Sequence, residues 1–92
     1  MEKLVSDIKE SIKYLNLIVS NNTQRTDIKK YMSDFLKVLE SSLNELEVSG
    51  FITNKTKNRI KEIIVEIPID KIFEGHPLED LLYDISEGLE NL

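Results

Sequence analysis

At residues 26–48 the chain carries the segment TDIKKYMSDFLKVLESSLNELEV, whose apolar side chains recur at the three- and four-residue intervals of an α-helix. At 100° per residue these side chains cover an arc of about 160°, which is wider than one helix–helix contact requires. We therefore expect this helix to be central and to pack on two neighbours. Thr26 offers a hydroxyl N-cap, and Asp27 places a negative charge in the first turn. The apolar set comprises Ile28, Tyr31, Met32, Phe35, Leu36, Val38, Leu39, Leu43 and Leu46.

An earlier helix is predicted over residues 2–20, because apolar residues recur there along one stripe. The stripe consists of Val5, Ile8, Ile12, Leu15 and Val19, with Leu4 and Ile18 at its edges. Tyr14 and Leu17 project away from this stripe. Each of them needs a second apolar neighbour or stays in water, and one alternative is that the two form a homodimer interface.

A third helix is predicted to end at Pro68. Gly50 is suited to the left-handed conformation that closes the preceding helix, and we expect Phe51 and Ile52 to fill the core behind it. The core face of the third helix holds Ile60, Ile63, Ile64 and Ile67. The β-branched residues at 62–67 also permit a short strand, but the sequence offers that strand no convincing partner, so we favour the helix.

The final helix is predicted to begin at Pro77, after a turn that Asp70 initiates and in which Gly75 and His76 reset the chain direction. Its core stripe is formed by Leu78, Leu81, Leu82, Ile85, Leu89 and Leu92. The sequence thus predicts one all-α domain over residues 1–92. We expect a small, largely antiparallel bundle of four helices, three long ones and an acidic C-terminal one, joined by short turns.

Charge is distributed unevenly along the chain. Residues 62–92 hold nine carboxylates against one cation, Lys71, for a local net charge of −8. Residues 1–61 have a net charge of +3, so the formal charge of −5 conceals a polarised molecule. Such an imbalance determines which partners are attracted.

The outer face of the final helix is the candidate binding site. Tyr83 lies four residues from both Glu79 and Glu87, so the three side chains share this face. The face also contains Asp80 and Glu90. Tyrosine is a frequent binding anchor, and surrounding carboxylates steer a basic partner. We therefore predict that this helix docks on a basic protein, to neutralise or regulate it.

In size, helicity and acidity the chain is similar to small toxin-immunity proteins and phage-encoded inhibitors, although no sequence motif is shared. This likeness implies a non-enzymatic inhibitory or regulatory role.

The alternative function is a small DNA-binding regulator. Two helices joined by a glycine turn have the outline of a helix-turn-helix, with Lys55, Lys57, Arg59 and Lys61 on the second helix. The acidic tail opposes this reading, because it repels DNA unless it lies on the far side. DNA binding would fall steeply with added salt, which a duplex titration at two ionic strengths would detect.

The segment that starts at Glu45 resembles an EF-hand loop in part but lacks the ligands that such a loop needs. Gly50 and Ile52 occupy the sixth and eighth positions of a loop starting at Glu45, but the twelfth position, which must supply a bidentate carboxylate, is Thr56. A helix end at Gly50, followed by a helix capped by Thr53 or Asn54, accounts for the same residues. We expect no metal site.

Catalysis and cofactors are not expected. The chain has no cysteine, and its single histidine, His76, fits a turn better than acid–base chemistry. It has no glycine-rich phosphate loop and no convergent carboxylate motif. No stretch approaches membrane-spanning length, and the N-terminus lacks the apolar run of a signal peptide, so the default expectation is a cytoplasmic protein.

Overall fold

The part of the chain that the structure describes folds into four α-helices. A computed structural model describes residues 2–20, 26–66 and 73–91, and of residues 26–29 the backbone alone. The helices are α1 (Glu2–Ser20), α2 (Thr26–Ser49), α3 (Asn54–Glu66) and α4 (Pro77–Glu90). The described part of the chain contains no strand, so the predicted all-α fold is confirmed.

The strand alternative for the end of the third helix is wrong, because residues 62–66 are helical. Several predictions lie outside what the structure describes. They are the N-cap role of Thr26, the core positions of Ile28, Ile67 and Leu92, the end of the third helix at Pro68 and the turn initiated by Asp70.

The helices pack in a cyclic order. α1 packs against α2 and α4, and α3 packs against the same two helices. α2 therefore has the two neighbours that its wide apolar arc predicts, but α1 also has two, so α2 is not uniquely central. One cluster of buried apolar side chains joins all four helices. Its fully buried members are Ile8, Leu15, Met32, Phe35, Leu39, Ile60, Leu78, Leu82, Ile85 and Leu89.

α1 is rotated relative to the predicted stripe. Leu4, Asp7 and Ser11 are buried together with two stripe residues, while Val5 and Ile12 are only partly buried. The buried centre is displaced by roughly 60° around the helix axis. Gly88 of α4 explains the rotation in part, since a Cβ at this position would lie 3.1 Å from Leu4 Cδ1. The absence of that Cβ lets α4 approach α1 on the side of Leu4.

The connection between α2 and α3 closes at Gly50. This glycine adopts a φ of 81°, and its N–H donates to the Leu46 carbonyl at 3.0 Å. Ile52 is buried as predicted. The prediction for Phe51 is wrong, because its side chain is 59% exposed. A short turn between two packed helices directs one of two adjacent side chains inward, and the core accepts Ile52.

The start of α4 is built around His76. Its Nδ1 accepts the Leu78 N–H at 3.1 Å, which makes the imidazole the N-cap, and Pro77 follows in the first turn. The Tyr14 ring meets the imidazole edge-on, with 5.3 Å between the ring centroids. Phe73 is buried beside the same imidazole. The predicted turn role of His76 therefore extends to holding α4 against α1.

Candidate docking surface on the final helix

The predicted docking residues form one outer face of α4, which we call the acidic face. Tyr83 is 46% exposed, and it also makes an interaction within the chain. Its neighbours Asp80, Glu87 and Glu90 are exposed, while Glu79 is half-buried. At 100° per residue the five side chains fall within an arc of about 100°, centred roughly 140° from the buried stripe. The arrangement predicted from helical periodicity is therefore present.

Glu90 differs from the other acids of this face because it is bonded within the chain. Its carboxylate lies 2.6 Å from the Lys61 ammonium on α3. The hydrogen bond from Lys61, followed by its charge, lowers the pKa of the Glu90 carboxyl. Glu90 thus ties α4 to α3, and the sequence could not show this because the two residues are far apart in the chain.

Glu79, Asp80 and Glu87 form no ion pair with any cation of the described residues. Glu79 and Asp80 lie in the first turn of α4, where the positive end of the helix dipole favours a carboxylate. Glu87 lies near the opposite end, where the dipole disfavours negative charge, and no basic residue occupies the last turn. Local helix stability therefore explains Glu79 and Asp80 but not Glu87.

A cleft of about 380 Å³ lies between α1 and α4 beside the acidic face. Lys3 bridges its two walls, with its ammonium 3.0 Å from the Asp7 carboxylate and 3.3 Å from that of Asp84. Hydrogen bonds to these two carboxylates raise the pKa of Lys3. Sequence analysis missed this bridge, although the four-residue spacing of Lys3 and Asp7 was a usable signal. Glu87 also lines this cleft and has no ion pair with a described cation.

The basic residues proposed for DNA binding fall into two groups, because two of the four face carboxylates of the chain. Lys55 is exposed and Lys57 half-buried on α3. Arg59 lies 3.5 Å from Glu62, and Lys61 is bonded to α4. Two of the four cations are thus partly neutralised by carboxylates of the chain. DNA binding stays a prediction, with less free positive charge than the sequence suggested.

The two residues proposed for homodimerisation are placed differently. Tyr14 is half-buried against the core and contacts His76, so it finds its second neighbour within the chain. Leu17 is 63% exposed. Dimerisation stays a prediction, and of its two proposed residues only Leu17 is predominantly exposed.

The residues compared with an EF-hand form a helix cap. The Glu45 carboxylate accepts the Thr53 N–H at 2.9 Å and also accepts the Thr56 hydroxyl. Thr53 Oγ1 in turn accepts the Thr56 N–H, as an N-cap does. The Thr56 hydroxyl, followed by the Thr53 N–H, lowers the pKa of Glu45. The first and twelfth positions of the supposed loop therefore bond to each other.

The residues that the structure describes form neither a metal site nor a membrane-spanning helix. Among residues 2–20, 26–66 and 73–91, no group of His, Asp or Glu side chains is arranged to hold a metal ion. None of the described helices combines the length and apolar character needed to cross a lipid bilayer. Comparisons of the chain with protein-family models, curated proteins and solved structures give no match.

Proposed function

We propose that this protein is a non-enzymatic binding module whose acidic face docks on a basic protein and thereby neutralises or regulates it. Tyr83 serves as the anchor, because a tyrosine buries a large area on binding at a low cost in conformational entropy. Glu79, Asp80 and Glu87 attract the partner and set its orientation. Glu90 contributes indirectly, by holding α4 on α3.

The observation that carries this proposal is the pair formed by Tyr83 and Glu87. Glu87 is exposed, has no ion pair with a described cation and lies at the unfavourable end of the helix dipole. Its charge also repels that of Glu90 three residues later, although Lys61 offsets part of this repulsion. A residue that works against the stability of its own helix is well explained by a role in binding. Tyr83 lies one turn away, on the same exposed face.

The polarised charge of the chain supports the same proposal. The acidic C-terminal third of the sequence, residues 62–92, gives α4 an electrostatic field that accelerates encounter with a cationic surface. Lys61 is bonded to Glu90 within the acidic face, and Lys3 is bonded to Asp84 beside it. The remaining negative charge is therefore concentrated around Tyr83.

Affinity capture from the lysate of the native host tests the proposal. The immobilised proteins are the wild type, Tyr83→Ala and Tyr31→Ala. Tyr31 is a matched control, because it is a 55% exposed tyrosine on a different helix. We expect a basic protein to be retained by the wild type and by Tyr31→Ala, to be released by salt and to be lost with Tyr83→Ala.

Circular dichroism establishes that each immobilised variant is folded. Retention of the same basic protein by folded Tyr83→Ala would contradict the proposal, as would retention of acidic proteins only.

A further inference from the structure

The acidic face has a regular spacing that specifies the shape of its partner. We infer that the occupant is a basic amphipathic helix with a cation, an apolar residue and a cation at successive four-residue intervals. This inference rests on the proposed function, because it describes what docks on the same face. It adds the secondary structure and the residue register of the partner.

The spacing follows from the positions of three residues along α4. Glu79, Tyr83 and Glu87 are each four residues apart, so they form one ridge with steps of about 6 Å and a total length of about 12 Å. A second helix that packs on α4 sets its own four-residue ridge into the groove beside this one, with residues at the same steps. A central apolar side chain then meets Tyr83 while two flanking cations meet the carboxylates.

The ridge ends at Glu87, because the next position at this spacing is Asn91, an uncharged residue at the C-cap of α4. Glu90, the next acid towards the C-terminus on this face, is bonded to Lys61 at 2.6 Å. A cation placed opposite Glu90 would compete with that ion pair and would gain little. The complementary motif is therefore three positions long, and its two cations correspond to Glu79 and Glu87.

An extended peptide fits the side-chain spacing but not the backbone. Alternate residues of a strand are separated by about 6.7 Å, which is close to the spacing of the ridge. The described part of this chain has no strand and hence no sheet edge, so α4 cannot pair the N–H and C=O groups of an extended partner. A helix satisfies its own backbone groups and needs only side-chain contacts.

Arginine is the cation best suited to the motif. Its planar guanidinium forms paired hydrogen bonds with a carboxylate and also stacks on an aromatic ring. Glu87 and Tyr83, one turn apart, offer both kinds of contact. The negative end of the helix dipole near Glu87 adds to the attraction for a cation there.

Synthetic peptides test the inference directly. The test peptide is a stable helix of about 20 residues that contains Arg-x-x-x-Leu-x-x-x-Arg on one face. A second helix has the same composition with the two arginines moved to its opposite face. A third peptide is an extended sequence with Arg-x-Leu-x-Arg. Fluorescence anisotropy measures the binding of each peptide to the full-length protein and to its variants.

We expect the test helix to bind at least about tenfold more tightly than either control peptide. Tyr83→Ala and Glu87→Lys should each weaken this binding by about tenfold or more. The matched variants Tyr31→Ala and Glu47→Lys should leave it unchanged. Glu47 is an exposed acid in the last turn of α2, so its reversal reproduces the charge and dipole changes of Glu87→Lys.

The other outcomes overturn the inference. Equal or tighter binding of the extended peptide, or of the helix with displaced arginines, would exclude the helical register while leaving the acidic face as a docking site. Binding of the test helix that is insensitive to Tyr83→Ala and Glu87→Lys would place its site elsewhere. Absence of peptide binding would reject the motif, and lysate capture would still decide the proposed function on its own.

Discussion

α3 and α4 are both short, charged helices, but they use their charges differently. On α3, Arg59 and Lys61 face carboxylates of the chain, and Glu45 reaches across from α2 to cap the start of the helix. On α4, two acids are bonded to cations of the chain, and the other three have no ion pair with a described cation. Charged groups that are bonded within the fold contribute to its stability, whereas those left unbonded are available to a partner.

This contrast separates the expected effects of substitution. Changes around α3 should alter the free energy of unfolding and leave binding intact. Changes on the acidic face of α4 should alter binding and leave the fold intact.

The largest effect is expected for Tyr83→Ala. Loss of the anchor should weaken the binding of the basic partner by about 2 kcal/mol or more, which is a loss of roughly 30-fold in affinity. Isothermal titration calorimetry measures the change, and Tyr31→Ala serves as the control with affinity close to that of the wild type. An equal loss of affinity in both variants would show that the partner does not distinguish Tyr83 on the acidic face from an exposed tyrosine elsewhere.

The next largest effect is expected for Glu45→Ala. This change leaves the Thr53 N–H and the Thr56 hydroxyl without their acceptor and should lower the free energy of unfolding by about 1 kcal/mol. Urea denaturation followed by circular dichroism measures it. Glu47→Ala, two residues further along α2, should change stability by less than about 0.5 kcal/mol. Equal urea midpoints for the two variants would contradict a stabilising role of the cap.

The contribution of Glu45 should also depend on pH. Because the folded-state pKa of Glu45 lies below its ordinary value of 4.5, the stabilisation is complete above that value and is lost as the pH falls through the lowered folded-state pKa. The stability difference between the wild type and Glu45→Gln should therefore be constant near neutral pH and shrink below about pH 4.5. Urea titrations at several pH values measure this difference, and its growth on acidification would reverse the predicted sign.

Features encoded by neighbouring residues were predictable from the sequence. The starts of α1 and α2 follow from apolar periodicity, and those of α3 and α4 also follow from Thr53 and Pro77 at the helix ends. The acidic face follows from the same periodicity, because residues four apart share a helix face in any fold. His76 before Pro77 was recognised as a turn residue, and the structure adds its contact with Tyr14.

Features that depend on distant residues were not predictable. The rotation of α1 depends on Gly88, which lies more than 80 residues after Leu4 in the sequence. Glu90 was assigned to the docking site by periodicity, and only the fold reveals its bond to Lys61. Phe51 and Ile52 are both apolar, so the sequence alone could not show which of the two fills the core.

Glu87→Lys is expected to have the smallest effect on stability. It should also separate binding from stability most clearly. A cation near the C-terminal end of α4 interacts favourably with the helix dipole, so the free energy of unfolding should stay constant or rise by a few tenths of a kcal/mol. Association with the basic partner should slow and lose part of its salt dependence, because one steering charge is reversed. Stopped-flow kinetics at two salt concentrations measures the association rate.

Glu47→Lys should have the same small effect on stability, because Glu47 also lies in the last turn of a helix, and it should leave the association rate closer to that of the wild type. If both variants slow association equally, net charge alone governs the encounter and Glu87 has no special position. If only Glu87→Lys slows it, the carboxylate that opposes the stability of its own helix is the one that the partner uses.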